Sequence, residues 1–193
     1  MAATSPTKQQ LLQQGMALLL KNGYNYLGLA EILESTGIPK GSFYHHFRNK
    51  EDFGLQAIDL YMTGVHAALD ACLGDRTLPP LRRVRRFFEL VQDSYQGEGY
   101  LGCLLGGLGQ ELSGISDAFR QKVEECMSAI AGRLATCLEE AVQAGDLPAD
   151  TNPQAHAELL VNCWEGAALR SRLRRDPNPL GQMLDFYFRQ ASA

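Results

Sequence analysis

One short segment, residues 37–50, constrains the fold more than any other part of this chain. Gly37 permits a tight turn, and Pro39 suits the first turn of a helix, where the missing N–H costs nothing. Phe43 and Phe47 are four residues apart, so on a helix they share one face that can be buried. A short helix that follows a tight turn is typical of the second half of a helix-turn-helix.

The opposite face of this short helix carries the candidate DNA contacts. The second helix of a helix-turn-helix enters the major groove with its N-terminal residues at the base edges. Lysine and tyrosine suit phosphates, serine and histidine can bond base edges or backbone, and glycine lets the helix backbone approach closely. A solvated three-helix subdomain of no particular function has the same shape, but it does not explain these residue types at one helix tip. The predicted DNA-binding residues are Lys40, Gly41, Ser42, Tyr44, His45 and, at the start of the next helix, Lys50.

The pattern along the chain predicts an all-α fold of about nine helices, because no alternating run of β-branched residues is present. The predicted helices cover residues 7–21, 29–35, 39–46, 50–72, 81–95, a short segment from 101, 117–144, 153–175 and 180–190. We expect an N-terminal helix-turn-helix DNA-binding domain over residues 1–50. Residues 51–193 are expected to form a helical ligand-binding and dimerisation domain.

The segment IPKGSFYHHFRNKE, residues 38–51, resembles the signature of the TetR family of transcriptional regulators. Family members typically carry a glycine and a hydrophobic residue, then G-x-x-Y-x-H-F, then K-E. This chain departs from the pattern at Leu27, where many relatives have a threonine that caps the second helix and touches phosphate. The matching residues are Gly37, Ile38, Gly41, Tyr44, His46, Phe47, Lys50 and Glu51.

The resemblance implies a homodimeric repressor. Each subunit would carry an N-terminal DNA-binding head and a C-terminal ligand-binding body, and the eighth and ninth helices would pair into a four-helix interface. A palindromic operator would then present half-sites about 34–36 Å apart, or slightly more. The partners implied are double-stranded operator DNA, a second copy of the chain and a small-molecule or electrophile inducer of unknown identity.

Charge and composition fit this interpretation. Residues 1–55 carry five Lys/Arg against four Asp/Glu, a net +1, and the remainder carries thirteen against eighteen, a net −5. The basic excess is small, so we expect a dimer to supply the remaining phosphate contacts. No apolar run is long enough to span a bilayer and no signal peptide is evident, so a cytoplasmic protein with reduced cysteines is expected. Neither a metal site nor a cofactor is predicted.

The glycine-rich segment at residues 100–109 contains the sharpest candidate sensor, Cys103. A thiol at the start of a helix feels the positive end of the helix dipole, which favours the thiolate. Some regulators that resemble this chain carry Gly-Cys-Leu at this place and sense electrophiles or oxidants through it. In such relatives a lysine on the eighth helix assists, and Arg172 stands in that region here. The alternative is a small residue of the core, the usual position of a free cysteine.

A reversible ligand would need apolar walls and a few placed polar groups. The candidates on the body helices are Tyr61, His66, Tyr95, Gln110, Trp164 and Arg170, in addition to the sensor candidates Cys103 and Arg172. The other cysteines are expected to be structural, on apolar helix faces: Cys72, Cys126, Cys137 and Cys163. The arginines of the fifth helix are expected to form a solvated face: Arg82, Arg83, Arg85 and Arg86.

Two other function classes stay open at this point. One is an all-helical thiol enzyme with Cys103 as nucleophile, which would need a partnering base such as His66 or His156. The other is a DNA-binding dimer that senses no ligand. Sequence-specific DNA binding would exclude the first, and release by a small molecule or by thiol modification would exclude the second.

Overall fold

A computed structural model describes residues 5–97, 99 and 102–191, and within these residues the chain forms nine α-helices and no strand. The all-α prediction is therefore confirmed. The helices are α1 Pro6–Asn22, α2 Leu29–Thr36, α3 Lys40–His46, α4 Lys50–Leu73, α5 Pro80–Gly97, α6 Leu104–Leu112, α7 Asp117–Ala144, α8 Pro153–Arg174 and α9 Asn178–Ala191.

Polar caps and one glycine set several helix ends. Ser5, Asn49 and Asn152 each precede a helix, and their side-chain oxygens accept the backbone N–H three residues later at 3.2, 2.8 and 3.1 Å. Each cap satisfies a donor that the first helical turn leaves unpaired. Gly37 separates α2 from α3 with φ +66°, a left-handed conformation that favours glycine.

The segment between α5 and α6 differs from the prediction. α5 continues through Gly97, two residues past its predicted end, and α6 begins at Leu104 rather than near residue 101. The later start has a physical reason, because Gly102 adopts φ +82° and cannot belong to a right-handed helix. The predictions that involved Glu98, Tyr100 and Leu101 lie outside the described residues.

The chain divides into two compact units, and the division does not follow the boundary expected after residue 50. The first unit comprises Met1–Gly64 with Leu104–Val123, and the second comprises Val65–Cys103 with Glu124–Ala193. α6 and the start of α7 belong with the N-terminal helices because they contact them directly. Lys122 pairs with Asp59 of α4 at 2.5 Å, and the Ser116 hydroxyl donates to Glu51 at 2.7 Å.

An aromatic cluster forms the core of the helix-turn-helix. Phe43, Phe47 and Phe53 are all buried, with ring centroids 5.0–5.6 Å apart. Gly15 in the middle of α1 makes room for this cluster, since a Cβ there would lie 2.1 Å from the Phe53 ring. Leu27 is fully buried as well, so the position where many relatives have a capping threonine contributes to the core in this chain.

The second unit has its own core between the C-terminal part of α4 and helices α5, α7, α8 and α9, and one arginine is buried in this unit. Arg83 is only 3% exposed. Its guanidinium donates to the Leu73 carbonyl at 2.7 Å and to Glu140 at 2.5 Å. The expectation that Arg83 lies on a solvated face is therefore wrong, because its side chain is buried and pairs with Glu140 of α7, a residue far away in the sequence. Arg85 also forms ion pairs, with Glu89 and with a carboxylate of α9.

Candidate DNA-binding face and sensor site

The outward face of α3 presents the side chains that the sequence predicted for DNA. Phe43 fixes the inner face of the helix in the core of the first unit. The Tyr44 side chain is 51% exposed, and the Lys40 ammonium lies 6.0 Å from the centroid of its ring. A docking partner could reach this face without any rearrangement of the core. The exposed residues are Lys40, Gly41, Tyr44 and His45, and Ser42 is half-buried.

Gly41 has no reason within the subunit to be a glycine. A Cβ at this position would meet no heavy atom within 4 Å, and the φ of this residue is not positive. Glycine in a helix costs about 0.5–1 kcal/mol relative to alanine. The absence of an internal reason is consistent with a close approach by a molecule outside the subunit.

His46, the signature histidine, has an internal role. It is half-buried, and its Nε2 lies 3.4 Å from the hydroxyl of Ser5, the residue that caps α1. Burial lowers the pKa of His46, and the neighbouring charges of His45 and Lys8 lower it further. The His46 ring therefore joins the end of α3 to the start of α1, while its neighbour His45 is exposed.

Lys50, predicted to reach a phosphate, contacts the loop between α1 and α2. Its ammonium donates to the Tyr24 carbonyl at 2.6 Å and lies 4.2 Å from the Tyr24 ring centroid. Burial lowers the pKa of Lys50, and Glu111 acts in the opposite direction. In this arrangement the ammonium holds a loop of the first unit.

Cys103 immediately precedes α6 and is half-buried. A hydrogen bond joins its thiol to the carboxyl group of Glu165 on α8, and burial raises the pKa of that carboxyl group while the thiol hydrogen bond opposes the shift. A Cβ on Gly102 would lie 3.8 Å from Cδ of Arg172, so Arg172 also lies next to this turn. Glu165 and Arg172 are seven residues apart, and such spacing places both on one face of α8.

Glu165 was absent from the predicted site, although its spacing from Arg172 was a signal that could have identified it. The thiol-enzyme hypothesis required a partnering base, with His66 and His156 as the candidates considered. His156 instead packs against Tyr187, with ring centroids 6.3 Å apart.

The other predicted ligand residues do not form one cluster. Trp164 and Tyr95 are buried together, with ring centroids 6.0 Å apart, and Trp164 lies 4.8 Å from the ring of Phe88. Arg170 is exposed, and Tyr61 is half-buried within the first unit. An open cavity of about 530 Å³ in the first unit includes none of the predicted ligand residues; it is lined by Lys8, Gln9, Leu12, Gln56, Asp59, Leu60 and Thr63.

α8 is apolar on two faces. One face contributes Trp164 to the core, and the other leaves Leu159, Leu169 and Leu173 exposed. Cys163 also lies on this exposed apolar face, so it is not part of the core, whereas Cys72, Cys126 and Cys137 are buried. α9, which packs against α8, exposes Phe186.

Within the described part of the chain, no three or more His, Cys, Asp or Glu side chains are grouped as a metal ion would require. Over the same residues, no helix has the length and apolar character needed to cross a membrane.

Comparison with known proteins identifies the family. Residues 11–56 match the model of bacterial regulatory proteins of the tetR family, and residues 80–187 match a tetracyclin repressor-like C-terminal domain. The chain belongs to the TetR family. The predicted family and its helix-turn-helix head are thus confirmed, and this TetR-family chain is a DNA-binding transcriptional regulator.

Three relatives illustrate the similarity. The chain is 41% identical over 173 residues to the transcriptional regulator AcuR of Cereibacter sphaeroides, a match that covers 89% of this chain and 79% of AcuR. It is 31% identical over 186 residues to the HTH-type transcriptional repressor DhaR of Mycobacterium sp. strain GP1, covering 96% of this chain and 92% of DhaR. A crystal structure of regulatory protein TetR from Rhodobacter sphaeroides matches with a TM-score of 0.92 at 39% identity, covering 96% of this chain and 98% of that one.

Proposed function

We propose that this regulator is a homodimeric repressor that binds a palindromic operator through α3 and leaves it when an inducer binds or modifies the body. The observation that carries the proposal is the exposed face of α3, where Lys40, Tyr44 and His45 surround an unhindered Gly41. The similarity to DhaR, a repressor by name, supports negative regulation. The DNA-contact residues proposed are Lys40, Gly41, Ser42, Tyr44 and His45, with Lys50 supporting the head.

Dimerisation through α8 and α9 is supported by the exposed apolar side chains there. Leu159, Leu169, Leu173 and Phe186 are each between 42% and 67% exposed. Complete burial of an exposed side chain of this kind contributes about 1.5–3 kcal/mol, and covering the exposed part of each contributes a corresponding fraction, summed over both subunits. A dimer also doubles the phosphate contacts, which matters because residues 1–55 carry a net charge of only +1.

The inducer site proposed is the Cys103 thiol with Glu165 and Arg172. A thiolate is the reactive form, and the Glu165 carboxylate can accept the thiol proton through their hydrogen bond. The thiolate Sγ would then add to an electrophilic carbon of a quinone or an aldehyde. The π bond of the electrophile opens toward its oxygen, and that oxygen takes up the proton from Glu165 or from solvent. A nearby guanidinium favours the thiolate.

The proposed function is tested by operator selection followed by release. Genomic fragments bound by the wild-type protein would be selected, and the bound duplex titrated with a quinone or a reactive aldehyde. We expect the wild type and Cys163→Ser to release the duplex and Cys103→Ser to retain it. Cys163→Ser is the matched control because Cys163 is the exposed cysteine of α8. Equal release by Cys103→Ser would overturn the thiol assignment, and no selected duplex at all would overturn the proposal.

A further inference from the structure

One carboxylate on α6 holds the loop that precedes the helix-turn-helix. Glu111 Oε2 accepts a hydrogen bond from the backbone N–H of Tyr24 at 2.8 Å, and Oε1 accepts one from the N–H of Asn25 at 2.5 Å. Hydrogen bonds to an ionised acceptor are roughly twice as strong as neutral ones. The two contacts join residues that are more than eighty positions apart in the sequence.

The geometry of the loop is adapted to this carboxylate. Gly23, which ends α1, has φ +79°, and a Cβ there would lie 3.0 Å from Glu111 Oε2. Glycine is thus favoured both by the backbone conformation and by the close approach of the carboxylate.

Tyr24 is restrained from two other helices as well. Lys50 of α4 donates to its carbonyl oxygen, and the ring of Phe119 from α7 packs edge-on at 5.0 Å. The N–H, the carbonyl and the ring of this one residue are therefore each fixed by a different helix. A loop held at three points has little freedom left to lose when a partner binds.

We infer that Glu111 is a positioning residue for DNA binding, which fixes the α1–α2 loop and thereby the placement of α2 in the helix-turn-helix. The inference rests on the proposed DNA-binding function. α2 begins at Leu29 after Gly28, which forms no side-chain cap, so this end of the helix is restrained by the loop and by the hydrogen bond that Asn22 of α1 donates to Glu31 at 2.8 Å. α6 begins directly after Cys103 in the chain, and Glu111 gives that helix a contact with the DNA-binding helices.

The test compares Glu111→Ala, Glu111→Gln and the control Gln110→Ala in the full-length protein. Gln110 is exposed on the same helix, and alanine favours a helix at either position. The operator dissociation constant would be measured by fluorescence anisotropy on the selected duplex, and amide hydrogen exchange would be followed along the chain. Faster exchange confined to the loop indicates that the loop alone is released, whereas faster exchange throughout the first unit indicates that the whole unit is less stable.

We expect Glu111→Ala to raise the dissociation constant at least about tenfold. Without the carboxylate, only a fraction of the subunits holds α2 in the position that binds DNA, and both subunits of the dimer must do so at once. Faster exchange should be confined to the α1–α2 loop and α2. The dissociation constant of Glu111→Gln should lie between those of the wild type and Glu111→Ala, since its amide oxygen still accepts one hydrogen bond. Gln110→Ala should have the dissociation constant and the exchange rates of the wild type.

Two results would overturn the inference. One is wild-type operator affinity in Glu111→Ala. The other is weakened binding accompanied by faster exchange throughout the first unit, which would indicate a general structural role. In both cases the wild type still binds its operator, so the proposed function survives. A wild type that selects no duplex refutes the proposed function and this inference with it.

Discussion

Replacing Gly41 with alanine should make the protein more stable and a poorer DNA binder. The added methyl group meets no heavy atom within 4 Å in the subunit, and Gly41 lies in the first turn of α3. A glycine-to-alanine change in a helix contributes about 0.5–1 kcal/mol of stability. For a chain of this length, the melting temperature should rise by about 1–4 °C.

The same methyl group should obstruct the operator. If the α3 backbone contacts the sugar-phosphate chain at Gly41, the methyl group must be accommodated in a packed interface, at a cost of about 1–3 kcal/mol. That cost corresponds to a roughly 5- to 150-fold increase in the operator dissociation constant.

The assay pairs thermal unfolding with anisotropy titration of the selected duplex, using Gly64→Ala as control. Gly64 is an exposed glycine of α4 with equally open surroundings, so its substitution should raise the melting temperature similarly without changing affinity. Unchanged operator affinity in Gly41→Ala would refute the close approach of α3 to DNA.

Three further predictions concern stability and assembly. The hydrogen-bonded ion pair with Arg83 lowers the pKa of Glu140, so the stability contributed by the ionised Glu140 is present above its unfolded-state pKa and is lost as pH falls through its folded-state pKa. In urea unfolding, Glu140→Gln should therefore lose less stability in acid than the wild type. Curves of unfolding free energy against pH that run parallel for the two proteins would contradict this. Leu169→Glu should place a charge in the proposed dimer face and give a monomer in sedimentation analysis, whereas an intact dimer would place the interface elsewhere. Gly15→Ala should cost about 1–3 kcal/mol in chemical unfolding because the Phe53 ring must move, and unchanged stability would show that the ring shifts freely.

Local signals sufficed for the helices and for the division of α3 into a buried and an exposed face. Asn49 and Asn152 could be recognised as caps, and Phe43 and Phe47 as an inner face, because these features depend on neighbours within one or two turns. The start of α6 was missed, because the left-handed conformation of Gly102 is not encoded by a unique local pattern.

Contacts between distant residues could not be predicted. Arg83 appeared to be one of several solvated arginines, but its acceptor Glu140 lies 57 positions away. Lys50 matched a family signature that suggested phosphate, whereas its ammonium is engaged by Tyr24. The spacing of Glu165 from Arg172 places both on one face of α8, but that Cys103 packs against this face could not be read from the sequence.

The most direct test of the account is operator binding by Tyr44→Ala and Lys40→Ala, measured together with the mass of the protein in solution. Both side chains are exposed on α3, so neither substitution should affect the core. We expect both variants to remain dimers and to lose operator binding at physiological salt. At low salt, where weaker binding can be measured, Lys40→Ala should show a salt slope reduced by about 0.9 per lost phosphate contact. Dimers that bind the operator with wild-type affinity would contradict the assignment of α3 to the major groove.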